Sequence, residues 1–278
     1  TMLIRAGIRI ARGAVAAVVA PSWLVETDRP GFSSSRAENL ERLVRLSAVW
    51  LANLVAYAIP LTLSGIGFTG TTAAPPVVAA LVAPLGVSAD SVWRLLVGTA
   101  QNSAFLTAAT VVVFVTFHAS VWAVEQSRGY LQSLYTVVYA TSVYLVGIFT
   151  LVLFASTSQQ VTTAAAFLRG TQLLFVETTL TLFGLGLPAG EPDPNAMALD
   201  CLSPTGELLL AGLVILALYF LYSMYLGARI NHGLDRLQSS LVVGGVLFAP
   251  VLYILGSALF SVAIDQSVFV ASNTGGWS

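Results

Sequence analysis

From Leu208 to Ile264 the chain consists of two long apolar runs joined by one short polar link, Arg229-Ile-Asn-His-Gly-Leu-Asp-Arg236. A helix needs about 20 residues, at 1.5 Å each, to cross the roughly 30 Å hydrocarbon core of a bilayer, and each run is that long. Lipid offers the backbone no hydrogen-bond partner, so such runs must be helical. The link is too short to be a domain and carries two arginines. It predicts a membrane hairpin with its tip on the cytoplasmic side. The same composition extends through the chain, which is 56% hydrophobic and 9% charged, with a mean hydropathy of +0.84. A soluble domain has about 25% charged residues. So few charges cannot solvate a surface of this size, and lipid must cover most of it.

The net charge of −1 says nothing about nucleic-acid or acidic partners; only the distribution of charge is informative. All twelve basic residues are arginine. That suggests a GC-rich genome and, with the acidic loops described below, a salt-loving prokaryote of haloarchaeal type. The single cysteine, Cys201, allows no disulfide and no cysteine-based metal cluster within the chain.

Taken in order, residues 1–45 read as a cytoplasmic region. Within 2–20, Arg5, Arg9 and Arg12 share one helical face, opposite Ile4, Ile8, Ala11, Val15 and Val18. This pattern predicts an amphipathic helix lying in the membrane interface, its arginines near anionic headgroups. A signal peptide is the competing reading; its apolar part, Gly13 to Ala20, is short, and Ala20-Pro21-Ser22 is a poor cleavage site. A short helix from about Ser35 leads into the first span. Five spans are expected, at about 46–68, 102–124, 130–155, 208–228 and 239–264, with a kink near Pro60 and a helix start at Ser88-Ala-Asp-Ser91. The apolar piece Val77 to Val87 is too short to cross and is broken by Pro84, so 69–100 is expected to re-enter or lie on the surface. Residues 265–278 form an outer tail. The expected fold is therefore all-α, a polytopic transmembrane bundle.

The stretch 161–187 is apolar but holds Arg169, Glu177 and six threonines. If it does not cross, ten arginines lie inside and two, Arg94 and Arg169, outside. The inside then carries net +4 (ten Arg, six acids) and the outside −5 (two Arg, seven acids), summing to −1. If it crosses, the split falls to eight against three, and a charged pair enters the bilayer at about a few kcal/mol. The positive-inside rule favours five spans, with the amino terminus inside and the carboxyl terminus outside the cell membrane.

Polar residues within spans are candidate functional groups. His118 and Glu125 are seven apart and share a face of the second span, which would suit a proton relay. The alternative is a histidine bonded to a hydroxyl or carbonyl of a neighbouring helix. His232, in the polar link, suits a helix cap. Asn53, Gln101 and Asn102 suit interhelical hydrogen bonds. Arg169 and Glu177 suit a pair in a re-entrant segment or a helix lying at the interface. The acidic loop 188–207 holds Glu191, Asp193 and Asp200 without the ligand spacing of a calcium loop. No nucleotide-binding glycine loop, zinc-protease motif or serine nucleophile elbow occurs. No cofactor, metal or catalytic group is expected.

Two stretches carry a family resemblance. Gly129-Tyr130-Leu-Gln-Ser-Leu-Tyr-Thr-Val-Val-Tyr139-Ala140 resembles the Gly-x-aromatic entry and central Tyr-Ala of Yip1-domain membrane proteins. Tyr225-Leu-Gly227, then His232-Gly-Leu234 and a span containing Pro250, is similar to the last hairpin of that domain. The resemblance covers about residues 100–264. The chain departs from the family at Val143, where a proline is common, and in its long outer segments 69–100 and 156–207. The resemblance implies a non-enzymatic helical protein, of a kind linked in eukaryotes to small GTPases and membrane trafficking. The expected function is a scaffold or accessory subunit that contacts other integral membrane proteins within the bilayer. A small-solute or ion transporter is the alternative, and would be marked by a continuous polar path near the midplane.

Overall fold

The computed structural model describes residues 36–63, 73–124, 128–155, 161–185 and 203–264. The interfacial helix expected over 2–20, with Arg5, Arg9 and Arg12, lies outside these residues. So do Glu125, Cys201, most of the acidic loop and the tail 265–278. The described residues are helices and their connections: α1 (Arg36–Leu63), α2 (Pro76–Val82), a 3₁₀ turn (Ala83–Leu85), α3 (Ala89–Ala123), α4 (Tyr130–Ala155), α5 (Val161–Leu182), α6 (Pro204–Asn231), α7 (Arg236–Val246) and α8 (Ala249–Ile264). Four stretches are long and apolar enough to cross a membrane: Leu46–Leu63, Ala89–Ala123, Pro204–Asn231 and Arg236–Leu259. The helix α4 occupies the residues expected to form the third crossing.

The described residues divide into two compact units, 36–111 and 112–264, with the boundary inside α3. In the first unit, the short helix expected from Ser35 and the first span are one continuous helix, α1. Pro60 lies within this helix, where its missing N–H leaves one carbonyl without its helical donor. Thr62 joins α1 to α3: its Oγ1 donates to the Ala58 carbonyl (2.7 Å) and accepts from Asn102 Nδ2 (3.0 Å). Gly98 faces the same threonine, and a Cβ there would overlap the Thr62 methyl. The absent side chain lets the two helices approach closely.

In the second unit, α4 packs along α6, α6 also packs on α7 and α5, and α5 packs on α8. The apolar core combines Phe117 and Val121 of α3, Val137 and Ala140 of α4, Met224 and Ala228 of α6, Leu234 of the link, and Val242 and Val246 of α7. These residues come from the end of α3, the start of α4, the end of α6 and from α7. The core therefore sits where two helix connections meet.

Helix ends follow their capping residues. Ser203 caps α6 by accepting from Gly206 N–H (3.1 Å), with Pro204 at the first position, Glu207 in the first turn and Arg229 in the last. Asp235 and Gln238 form a reciprocal capping box at the start of α7 (2.8 and 3.1 Å). The run expected as one span over 239–264 is broken at Leu247–Phe248. Pro250 has no N–H to bond the Val246 carbonyl. The chain tightens instead, with Phe248 N–H reaching Gly245 (3.1 Å), and restarts as α8 with Pro250 in its first turn.

Candidate functional site

At the junction of the two connections, polar side chains from three elements converge beside the apolar core. His118 projects from the last turns of α3, Ser133 from the first turn of α4, and His232 caps the C-terminus of α6. Ser133 and His232 are fully buried. The Ser133 hydroxyl lies 2.8 Å from His118 Nδ1 and 3.1 Å from His232 Nε2. The backbone N–H of Arg128, in the α3–α4 connection, donates to His232 Nδ1 at 3.3 Å.

These partners set the protons. His232 Nδ1 accepts, so in the neutral ring the proton resides on Nε2 and is donated to Ser133 Oγ. The Ser133 hydroxyl then donates to His118 Nδ1. The chain runs in one direction, Arg128 N–H to His232 to Ser133 to His118, with the Ser133 hydroxyl both accepting and donating. Burial, then the neighbouring His118 and the Arg128 guanidinium, lower the His232 pKa to about 4, and the ring is neutral at physiological pH. The aromatic neighbours are Phe114, stacked on His118 with centroids 5.8 Å apart, and Phe117, tilted against His232 at 6.0 Å.

A second pair joins α4 and α6 beside it. Asn231 Nδ2 donates to Thr136 Oγ1 (2.8 Å), which donates to the Gln132 carbonyl (3.0 Å). Asn231 Oδ1 and the hydroxyl of Ser239, both buried, have no partner among the described residues. Glycines admit these contacts. A Cβ on Gly227 would overlap the Thr136 side chain, and one on Gly245 would overlap Ser120. Gly233, at φ +73°, reverses the chain after His232 in a conformation that side chains resist, and the Arg128 guanidinium lies against it. The Leu234 N–H turns back to the Ala228 carbonyl at 3.4 Å, and its side chain enters the core.

The arrangement ties together the ends of α3, α4 and α6. Ser133 has no access to solvent, and among the described residues no carboxylate bonds either imidazole. Among the described residues no group of three or more His, Cys, Asp or Glu could hold a metal. Of the residues singled out in the sequence, His118 and His232 are brought together, 114 positions apart in the chain. Asn53 is half-buried on α1, in the other unit. Arg169 and Glu177 lie on α5, where Glu177 is exposed. Ser133, Thr136 and Asn231 escape the sequence reading. The available signal is their spacing: Ser133 and Thr136 are three apart, and Gly227 and Asn231 four apart. Each pair thus puts a small residue and a hydrogen-bonding residue on one helical face. No protein-family model, curated protein or solved structure matches this chain.

Proposed function

We propose that the chain is a non-enzymatic, five-span membrane protein of Yip1-like type that acts as a scaffold or accessory subunit of a larger membrane complex. The observation that carries this reading is the closed chain from Arg128 through His232 and Ser133 to His118. Its donors and acceptors are spent on joining helix ends, at a fully buried hydroxyl and imidazole. A transporter places such groups where a solute can reach them.

The same contact supports the five-span topology. The α3–α4 and α6–α7 connections touch through Arg128 and His232, so they share one membrane face. With α4 and α6 both crossing, α6 must start on the face where α4 ends. Then α5, between them, begins and ends on that face and does not cross. Counting α4, which at 26 residues is about 39 Å long, the crossings number five. Arginine placement orients the bundle with both connections in the cytoplasm and the carboxyl end outside.

The reading is tested by gentle solubilisation followed by native mass measurement and proteoliposome flux. A particle heavier than one chain, holding a second membrane protein in fixed ratio, is expected. A chain recovered alone, with solute-dependent flux in liposomes, replaces the scaffold by a transporter. An impermeant thiol reagent should label Cys201 on intact cells. Labelling only after denaturation overturns the orientation.

A further inference from the structure

The connection between α1 and α3 presents an apolar face of its own. From Ala73 to Ala89 there is no charged residue. Val77, Leu81 and Leu85 of α2 and the following turn recur every four residues and so share one face. They are 70, 71 and 73% exposed. Val87 just beyond is also exposed, and Val82 alone in α2 is buried. Burying a side chain of this kind gains about 1.5–3 kcal/mol, so the face has a substantial drive to find apolar surroundings.

Both ends of the segment are fastened to the first turn of α3. Ala74 N–H donates to Asp90 Oδ1 at 2.8 Å. At the other end Gly86, at φ +65°, turns the chain, and the Ser88 carbonyl and hydroxyl take up Val92 and Ser91 N–H of α3 at 3.2 and 3.5 Å. The segment thus leaves and returns at one level. Ten residues of α2 and the turn extend roughly 15–20 Å, too short to cross the hydrocarbon. The level itself is set by α3. Its 35 residues extend about 52 Å, longer than the hydrocarbon is thick, so one end must stand outside it, and the charges of the first turns place that end among headgroups. Exposed Asp90 and Arg94 and half-buried Trp93 occupy those turns, as suits that depth.

We propose that Pro75–Val87 is an interfacial foot, with the Val77–Leu81–Leu85 face seated in the acyl chains just beneath the headgroups of the leaflet where α3 begins. The occupant is lipid because the face is tied to the mouth of a membrane-crossing helix. Lipid is within reach there without any partner. The foot resists tilting of α3 and fixes how far that helix sinks into the bilayer.

The test uses the full chain in phosphatidylcholine–phosphatidylglycerol liposomes, with Cys201→Ser and single spin-labelled cysteines at Val77, Leu81, Leu85 and, on the opposite side of α2, Ala79. Relaxation by dissolved oxygen and by a water-soluble nickel chelate reads depth. The three face positions should be several-fold more oxygen-accessible and nickel-shielded than Ala79, at a depth of about 5–10 Å below the phosphates. Equal nickel access at all four positions overturns the proposal in favour of a water-facing loop. Exclusion of both probes overturns it in favour of a protein partner or second copy. A midplane depth overturns it in favour of a re-entrant segment.

Discussion

The backbone N–H of Arg128 donates to Nδ1 of His232 across 3.3 Å, joining positions 104 residues apart. An N–H at that distance requires a lone pair on the ring nitrogen. Protonating His232 turns Nδ1 into a donor facing another donor, with the Arg128 guanidinium and His118 close by. The fold therefore favours the neutral imidazole.

Stability should depend on pH accordingly. The His232 pKa falls from 6.5 to about 4 on folding. Between these values the unfolded chain binds a proton that the folded chain refuses. The contribution is full above pH 6.5, is lost as pH falls towards 4, and is constant below. The span is on the order of 3 kcal/mol. The melting temperature in detergent should drop over this window in the wild type. His232→Asn keeps an acceptor oxygen near the Nδ1 position and should show a flatter profile.

Ser133→Ala removes the hydroxyl shared by both imidazoles and strands one ring nitrogen of buried His232 and one of half-buried His118. A loss of about 1–3 kcal/mol is expected, seen as a lower melting temperature. His118→Phe preserves the stack on Phe114 and removes one of the stranded atoms. The double variant should therefore lose less than the sum of the singles, with a coupling of about 0.5–3 kcal/mol in a double-mutant cycle. Strict additivity counts against the shared hydroxyl.

Gly227→Ala drives a methyl into Thr136, whose hydroxyl is held by Asn231 and Gln132 and whose branched side chain has little rotamer freedom. A cost of about 1–3 kcal/mol is expected. Thr136→Ser deletes the methyl that meets the new Cβ and keeps the hydroxyl. It should restore part of the melting temperature lost by Gly227→Ala, and on its own should cost less than Gly227→Ala.

Gly244 and Gly245 should respond in opposite directions. A Cβ on Gly245 overlaps Ser120, whereas one on Gly244 meets nothing within 4 Å. Gly245→Ala should lower the melting temperature. Gly244→Ala should leave it unchanged or raise it, because alanine is favoured over glycine in a helix by up to about 1 kcal/mol.

The helical, membrane-embedded class and the approximate places of its helices were determined by the sequence alone. Whether a run such as Leu208–Ala228 is apolar enough and long enough to cross lipid is a property of that run. Caps at Ser88, Ser203 and Asp235 are equally local, since each acts on N–H groups within three or four residues of itself. Pro250 was visible too, although the division of the last span at Leu247–Phe248 emerged only with the backbone, because the proline shifts the break to the preceding turn.

The tertiary structure alone decided what the polar residues do. His118, Ser133 and His232 meet across about a hundred positions, and no periodicity within one helix states which face of another it will touch. Gly244 and Gly245 make the same point most simply. They are adjacent and chemically identical, yet only Gly245 faces Ser120. A helix turns by about 100° per residue, so neighbours point in different directions, and which direction is occupied depends on how the helices pack.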